Sequence, residues 1–131
     1  MFKGCYSLKY LNLSNFANSE IIEFKNIFED CKNLTIIDLT NFKGSSKINR
    51  MDFMFNDLEG LSSLSLINLD LSNTINMSYM FNGSYSLKEI KIGVLDISSV
   101  KDYSYMFNNC KSLKYLNLYN IKVPKEPNTM E

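Results

Sequence analysis

A large apolar residue followed by phenylalanine returns along the chain as Met1-Phe2, Ile27-Phe28, Met54-Phe55, Met80-Phe81 and Met106-Phe107, at intervals of 26, 27, 26 and 26 residues. A fixed period of this length marks repeats that cannot bury their apolar faces alone and do so by stacking on their neighbours. Other columns hold the same register. Six residues after each Phe stand Leu8, Leu34, Leu61, Leu87 and Leu113, and three before each of these come Cys5, Cys31, Leu58, Ser84 and Cys110. Each leucine opens an L-x-x-L-x-L element: Leu8/Leu11/Leu13, Leu34/Ile37/Leu39, Leu61/Leu64/Leu66, Leu87/Ile90/Ile92 and Leu113/Leu116/Leu118.

The alternating end of that element predicts a short strand. Phe16, Phe42, Leu69, Leu95 and Ile121 form the next apolar column, and Ile21, Ile48, Thr74 and Val100 the one after. Ile21, Phe24, Ile27, Phe28 and Cys31 fall at i, i+3, i+6, i+7 and i+10, the spacing of one face of a helix. The expectation is therefore an α/β solenoid: a leucine-rich-repeat-like, right-handed array of short parallel strands and short helical segments, about 26 residues per repeat. A right-handed parallel β-helix is the second architecture, disfavoured by the helical spacing. In the third repeat, Leu66 to Asn73 could slide five residues to mimic Leu8 to Asn15. The unshifted frame is preferred because Leu69-Asp70-Leu71-Ser72 then lies over Leu95-Asp96-Ile97-Ser98 without a gap. The extra residue of the 27-residue interval is assigned to the Gly/Ser-rich stretch Lys43 to Lys47, where an insertion costs little.

The chain of 131 residues suffices for one domain, read as a single repeat array over 1–123 with a Pro-containing tail at 124–131. Lys+Arg and Asp+Glu are both 14, so the basic footprint that phosphate-backbone binding needs is missing and nucleic acid is not an expected partner. With 0 His, nucleophile pairs and metal sites that depend on imidazole are excluded. The 3 Cys fit neither a CxxC site nor a closed disulfide framework. No stretch approaches the ~18 consecutive apolar residues of a membrane span. Met1-Phe2-Lys3-Gly4-Cys5 imitates a lipoprotein cleavage box, but no apolar run precedes Cys5, so no signal peptide is assigned.

With these columns in view, the sequence resembles the BspA-type leucine-rich repeat surface proteins, whose signature is M-S-x-M-F-x-x-C-x-S-L-x-x-L-x-L. Met77-Ser78-Tyr79-Met80-Phe81 and Met106-Phe107-Asn108-Asn109-Cys110-Lys111-Ser112-Leu113 carry the clearest matches, and the likeness runs from Met1 to about Ile121. The resemblance implies a secreted or cell-surface array involved in adhesion. Leu58 and Ser84 depart from the Cys of that signature, so the column is no metal or disulfide ladder throughout. The chain starts inside a repeat and reads as a piece of a longer array or a gene remnant. An uncapped N-terminal repeat predicts end-to-end self-association.

Between the inward leucines of each strand stand the residues expected to line the concave sheet face. They are Tyr10, Asn12 and Ser14; Ile36, Asp38 and Thr40; Ser63, Ser65 and Ile67; Glu89, Lys91 and Gly93; and Tyr115, Asn117 and Tyr119. Tyrosine at both ends with polar residues between suits an adaptable surface that binds a protein partner; a solvated sheet face is the plain alternative. Cys5 and Cys31 occupy equivalent places in adjacent repeats and could approach disulfide distance, but a column that also takes Leu58 and Ser84 favours buried free thiols. The Met-Phe pairs are read as a core ladder rather than a cofactor box. Asp38, Asp70 and Asp96 are read as solvated turn carboxylates rather than a calcium or acid/base site, since no D-x-D-x-D-G run exists. Asn-x-Ser/Thr at Asn12, Asn33, Asn76 and Asn82 occurs in a chain rich in both residues and is given no weight. The expected function is recognition without catalysis, cofactor or metal; the alternative is a structural spacer within a longer repeat protein.

Overall fold

The computed structural model describes residues 1–15, 22–42, 47–116, 118 and 120–123. Five short strands follow one another: β1 (Tyr10–Asn12), β2 (Ile36–Asp38), β3 (Ser63–Leu66), β4 (Glu89–Ile92) and β5 (Tyr115–Leu116). All pair in parallel, β1 with β2 in one sheet and β3, β4 and β5 in order in another. Leu11 pairs with Ile37, Leu64 with Ile90 and Ile90 with Leu116, each partner one period further along. Leu64 is buried, so the third repeat keeps the unshifted frame. Side chains alternate as a pleated strand requires: in β3, Leu64 and Leu66 face the core and Ser63 and Ser65 face outward. Hydrogen-bonded pairing stops between β2 and β3, the interval of 27 residues, where Gly60 N–H donates to the Lys32 carbonyl at 2.9 Å.

The expected helical segments do not form: no helix occurs among the described residues. Ile21, with which that spacing began, and Phe16 lie outside them. What stands there instead is a stack of turns. Ile27 N–H donates to Phe24 C=O at 3.3 Å, Met54 to Met51 at 3.1 Å and Met80 to Met77 at 3.2 Å. Alternate N–H groups leave the repeat altogether: Phe24 donates to Arg50 C=O, Asn26 to Asp52, Phe28 to Met54 and Asp30 to Asn56. Met51, Phe53, Phe55 and Asp57 do the same toward Asn76, Ser78, Met80 and Asn82. An α-helix needs successive N–H groups to bond within its own segment, and here half of them bond the neighbour.

Two places per repeat also take the left-handed backbone, which interrupts a right-handed helix. One column is Gly4, Asp30, Asp57, Gly83 and Asn109, residue types that tolerate φ near +60°. The other is Asn26, Phe53, Tyr79 and Tyr105. Phe and Tyr fit that backbone poorly, and their rings offset the strain by stacking across repeats, Phe53 on Tyr79 at 4.8 Å and Tyr79 on Tyr105 at 4.9 Å between centroids.

The core is built from ladders. Phe2, Phe28, Phe55, Phe81 and Phe107 stack in series with centroids 5.8, 5.6, 5.4 and 5.3 Å apart. Met54, Met80, Leu34, Leu61 and Leu87 fill the space around them and are buried, so the Met-Phe pairs are core at those repeats, whereas Met1 of the first pair is exposed, with no preceding repeat among the described residues to cover it. Burying one such side chain contributes roughly 1.5–3 kcal/mol. A polar ladder lies at the turn edge, where Asn82 Nδ2 donates to Asn56 Oδ1 and Asn108 Nδ2 to Asn82 Oδ1, both at 2.8 Å. Its first members are charged, and Lys3 Nζ meets Glu29 Oε2 at 2.6 Å.

Candidate functional site

The pleat fixes which strand side chains look outward. Tyr10, Asn12, Ile36, Ser63, Ser65, Lys91 and Tyr115 are exposed, and Asp38 and Glu89 are half-buried. Strand register sets them in rows: Tyr10 beside Ile36, Asn12 beside Asp38, Ser63 beside Glu89 beside Tyr115, and Ser65 beside Lys91. Lys91 Nζ stands 3.9 Å from Glu89 Oε2 on its own strand. Among the strand residues of this face, Tyr10, Ile36 and Tyr115 are the large exposed apolar side chains, at 52%, 54% and 68%. Asn117 and Tyr119 lie outside the described residues, as does the stretch 124–131.

At the C-terminal ends of the strands, the carboxylates are held in turns. Asp38 Oδ1 accepts both the N–H and the hydroxyl of Thr40, Asp70 Oδ1 those of Ser72, and Asp96 Oδ1 those of Ser98. The hydroxyl bond, followed by the N–H bond, holds the Asp38 and Asp96 carboxyls below the usual carboxylate range. Beside them run two hollows. One of about 210 Å³ is bordered by Ile37, Asp38, Thr40, Ser65, Ile67 and Asn68. The other, of about 460 Å³, shares Ile67 and Asn68 and continues past Asp70, Val94, Asp96 and Lys122. The sequence carries no specific sign of these hollows, since Asp-x-Ser/Thr recurs at 38, 70 and 96 but also at 102, which borders neither.

The cysteine column has a task the sequence reading missed. Cys31 Sγ–H donates to Phe2 C=O at 2.9 Å, Ser84 Oγ–H to Phe55 C=O at 2.8 Å and Cys110 Sγ–H to Phe81 C=O at 3.1 Å. At Cys31, Ser84 and Cys110 the column supplies a small donor that ties its repeat to the one before, while Leu58 fills the same place by apolar burial alone; the presence of Ser84 was the available hint. All three thiols are free. Burial pushes the Cys31 thiol up, and the Cys110 thiol up to about 11, so both stay protonated and donating.

Among the described residues, no three His, Cys, Asp or Glu side chains come together as a metal site, and no helix is long and apolar enough to cross a membrane. The arrangement offers outward rows of aromatic, aliphatic and polar groups on a hydrogen-bonded frame, with an acidic, partly apolar trough along one side. No curated protein and no solved structure matches the chain. A family model does match, over residues 1–121, and by that match the chain belongs to the family described as Mycoplasma protein of unknown function, DUF285.

Proposed function

We propose that this chain is a right-handed, leucine-rich-repeat-like solenoid of BspA type, secreted or displayed at a cell surface, which recognises a protein partner through the outward face of its strands and catalyses nothing. The observation that carries this reading is the set of exposed side chains Tyr10, Ile36 and Tyr115 on strands whose alternate residues are locked into one core. Rigid aromatic area beside polar groups is the composition that concentrates binding energy. The helix-free turns bring the repeats closer to the parallel β-helix, the second architecture of the sequence reading, and both architectures would present this strand face.

Beads carrying the protein are compared with beads carrying Tyr10→Ala/Tyr115→Ala in adhesion to cultured cells and to extracellular-matrix coatings. The double variant is expected to lose adhesion with its unfolding midpoint unchanged, because neither ring belongs to the core. Equal adhesion by both forms overturns strand-face recognition and leaves the spacer role. Antibody labelling of intact producing cells tests the location, and labelling only after lysis overturns it.

A further inference from the structure

The junction between one repeat and the next has two unlike sides. In the turns the earlier repeat supplies the N–H groups: Phe81 donates to Met106 C=O at 2.9 Å and Gly83 to Asn108 C=O at 3.0 Å. At the entry to the strands the later repeat supplies them, Thr35 donating to Lys9 C=O at 2.9 Å and Lys114 to Lys88 C=O at 3.0 Å. The Cys110 thiol likewise points back, to Phe81 C=O. The first and last described repeats each carry one half of this junction. Phe107 and Asn109 stand where Phe81 and Gly83 stand one period earlier, yet no described residue accepts their N–H groups, and none donates to Lys114 C=O. At the other end, no described residue donates to Met1 C=O or Lys3 C=O, none accepts the N–H of Lys9, and Cys5 Sγ has no phenylalanine carbonyl before it. The core shows the same incompleteness: Phe28, Phe55 and Phe81 are fully buried, whereas Phe2 and Phe107 are half-buried and Met1 is 75% exposed.

These two halves complete one another. With the Phe2 of one copy set one period beyond the Phe107 of another, Phe107 N–H meets Met1 C=O, Asn109 N–H meets Lys3 C=O, Lys9 N–H meets Lys114 C=O and Cys5 Sγ–H meets Phe107 C=O. Each of these repeats a bond that the chain already makes internally, at Phe81, Gly83, Lys114 and Cys110. We infer that a second copy of this chain docks head to tail on the first, extending the phenylalanine ladder and the strand and turn ladders across the contact. Unpaired edges and apolar stacking faces both favour such an addition. The two faces differ, so the contact is heterologous and does not close on itself; it grows into a filament instead of stopping at a dimer. Tyr10 and Tyr115 point out of the strand face, to the side of the contact, so the inference is independent of the recognition reading.

The test is sedimentation velocity of the whole chain from micromolar to millimolar concentration, with one variant blocking each face. Lys9→Pro removes an N–H that no described residue accepts and sets a ring against the incoming copy, so it blocks the first face and spares the bonds within the chain. Phe107→Glu places a carboxylate where the Phe2 of the next copy would stack. The parent is expected to sediment faster as concentration rises, with no plateau. Each variant alone should lose that association, and an equimolar mixture should form a dimer and nothing larger, because one intact face of each kind remains. A parent that stays monomeric or stops at a dimer, single variants that associate as the parent does, or a mixture that stays monomeric overturns the inference. Circular dichroism checks that both variants fold; should Phe107→Glu fail to, Lys9→Pro decides alone, loss of association supporting the contact and unchanged association overturning it.

Discussion

Cys110 reaches back to the carbonyl oxygen of Phe81, its Sγ 3.1 Å away, and so fastens the turns of the Met106-Phe107 pair to the phenylalanine ladder of the repeat before it. Ser84 does the same for Phe55 with no solvent in reach. Removing a buried donor leaves its acceptor unsatisfied, which costs roughly 1–3 kcal/mol. Ser84→Ala should lose that much in urea unfolding, and Ser84→Cys, which restores the donor used at Cys31 and Cys110, should recover most of it. Equal losses for both variants would show that only the shape of the side chain matters.

The phenylalanine ladder predicts a gradient of cost. Phe55 is sandwiched between Phe28 and Phe81 and fully buried, whereas Phe2 is half-buried and stacks on Phe28. Phe55→Ala should destabilise by about 3–5 kcal/mol through lost burial and a cavity. Phe2→Ala should cost a fraction of that. Equilibrium unfolding of the two variants measures the difference, and equal costs would contradict a stack held together by neighbour contacts.

Thr74 sits fully buried in a column otherwise filled by Ile48 and Val100, and its Oγ1 has no hydrogen-bond partner. An unpartnered buried hydroxyl opposes folding. Thr74→Val keeps the shape and removes the hydroxyl, so it should stabilise the protein by about 1 kcal/mol, read as a higher thermal midpoint. A fall in the midpoint would mean that the hydroxyl finds a partner in solution.

Two carboxylates, Asp57 and Asp102, predict opposite pH dependence. Burial raises the Asp57 carboxyl above its ordinary value, so the stability linked to its proton is present below the unfolded pKa near 3.9 and is lost as pH rises through the folded value. Asp57→Asn keeps the left-handed backbone and the place beside Asn56. It should raise the thermal midpoint at pH 7 and leave it unchanged near pH 3. Asp102 is held low by the Ser104 hydroxyl and then its N–H, so its contribution is present above about pH 3.9 and disappears as pH falls through the lowered value. Asp102→Asn should lower the midpoint at pH 7 and have little effect at pH 2. Midpoints of both variants across pH 2–7 settle the two signs.

The period of the Met-Phe pairs was enough, by itself, to determine the register of the stack: Leu11 on Ile37, Leu64 on Ile90 on Leu116, with phenylalanine on phenylalanine behind them. Apolar columns at a fixed spacing have one alignment that buries them all, so that much is legible in one dimension. The strand face was legible for the same reason, since side chains alternate with period two. The Ile27-Phe28 segment was misread because apolar residues three apart, Phe24 with Ile27 and Phe28 with Cys31, suit one face of a helix and suit equally the successive turns in which Ile27 N–H bonds Phe24 C=O and Cys31 N–H bonds Phe28 C=O. Which of the two forms depends on where the N–H groups find acceptors, and the acceptors at Arg50, Asp52, Met54 and Asn56 exist only once the next repeat is in place. The same holds for the thiol bonds to phenylalanine carbonyls and for the trough, where Ile67, Asp70, Asp96 and Lys122 meet from three successive repeats. Residues that act across repeats acquire their partners from stacking, and stacking is a property of the tertiary structure alone.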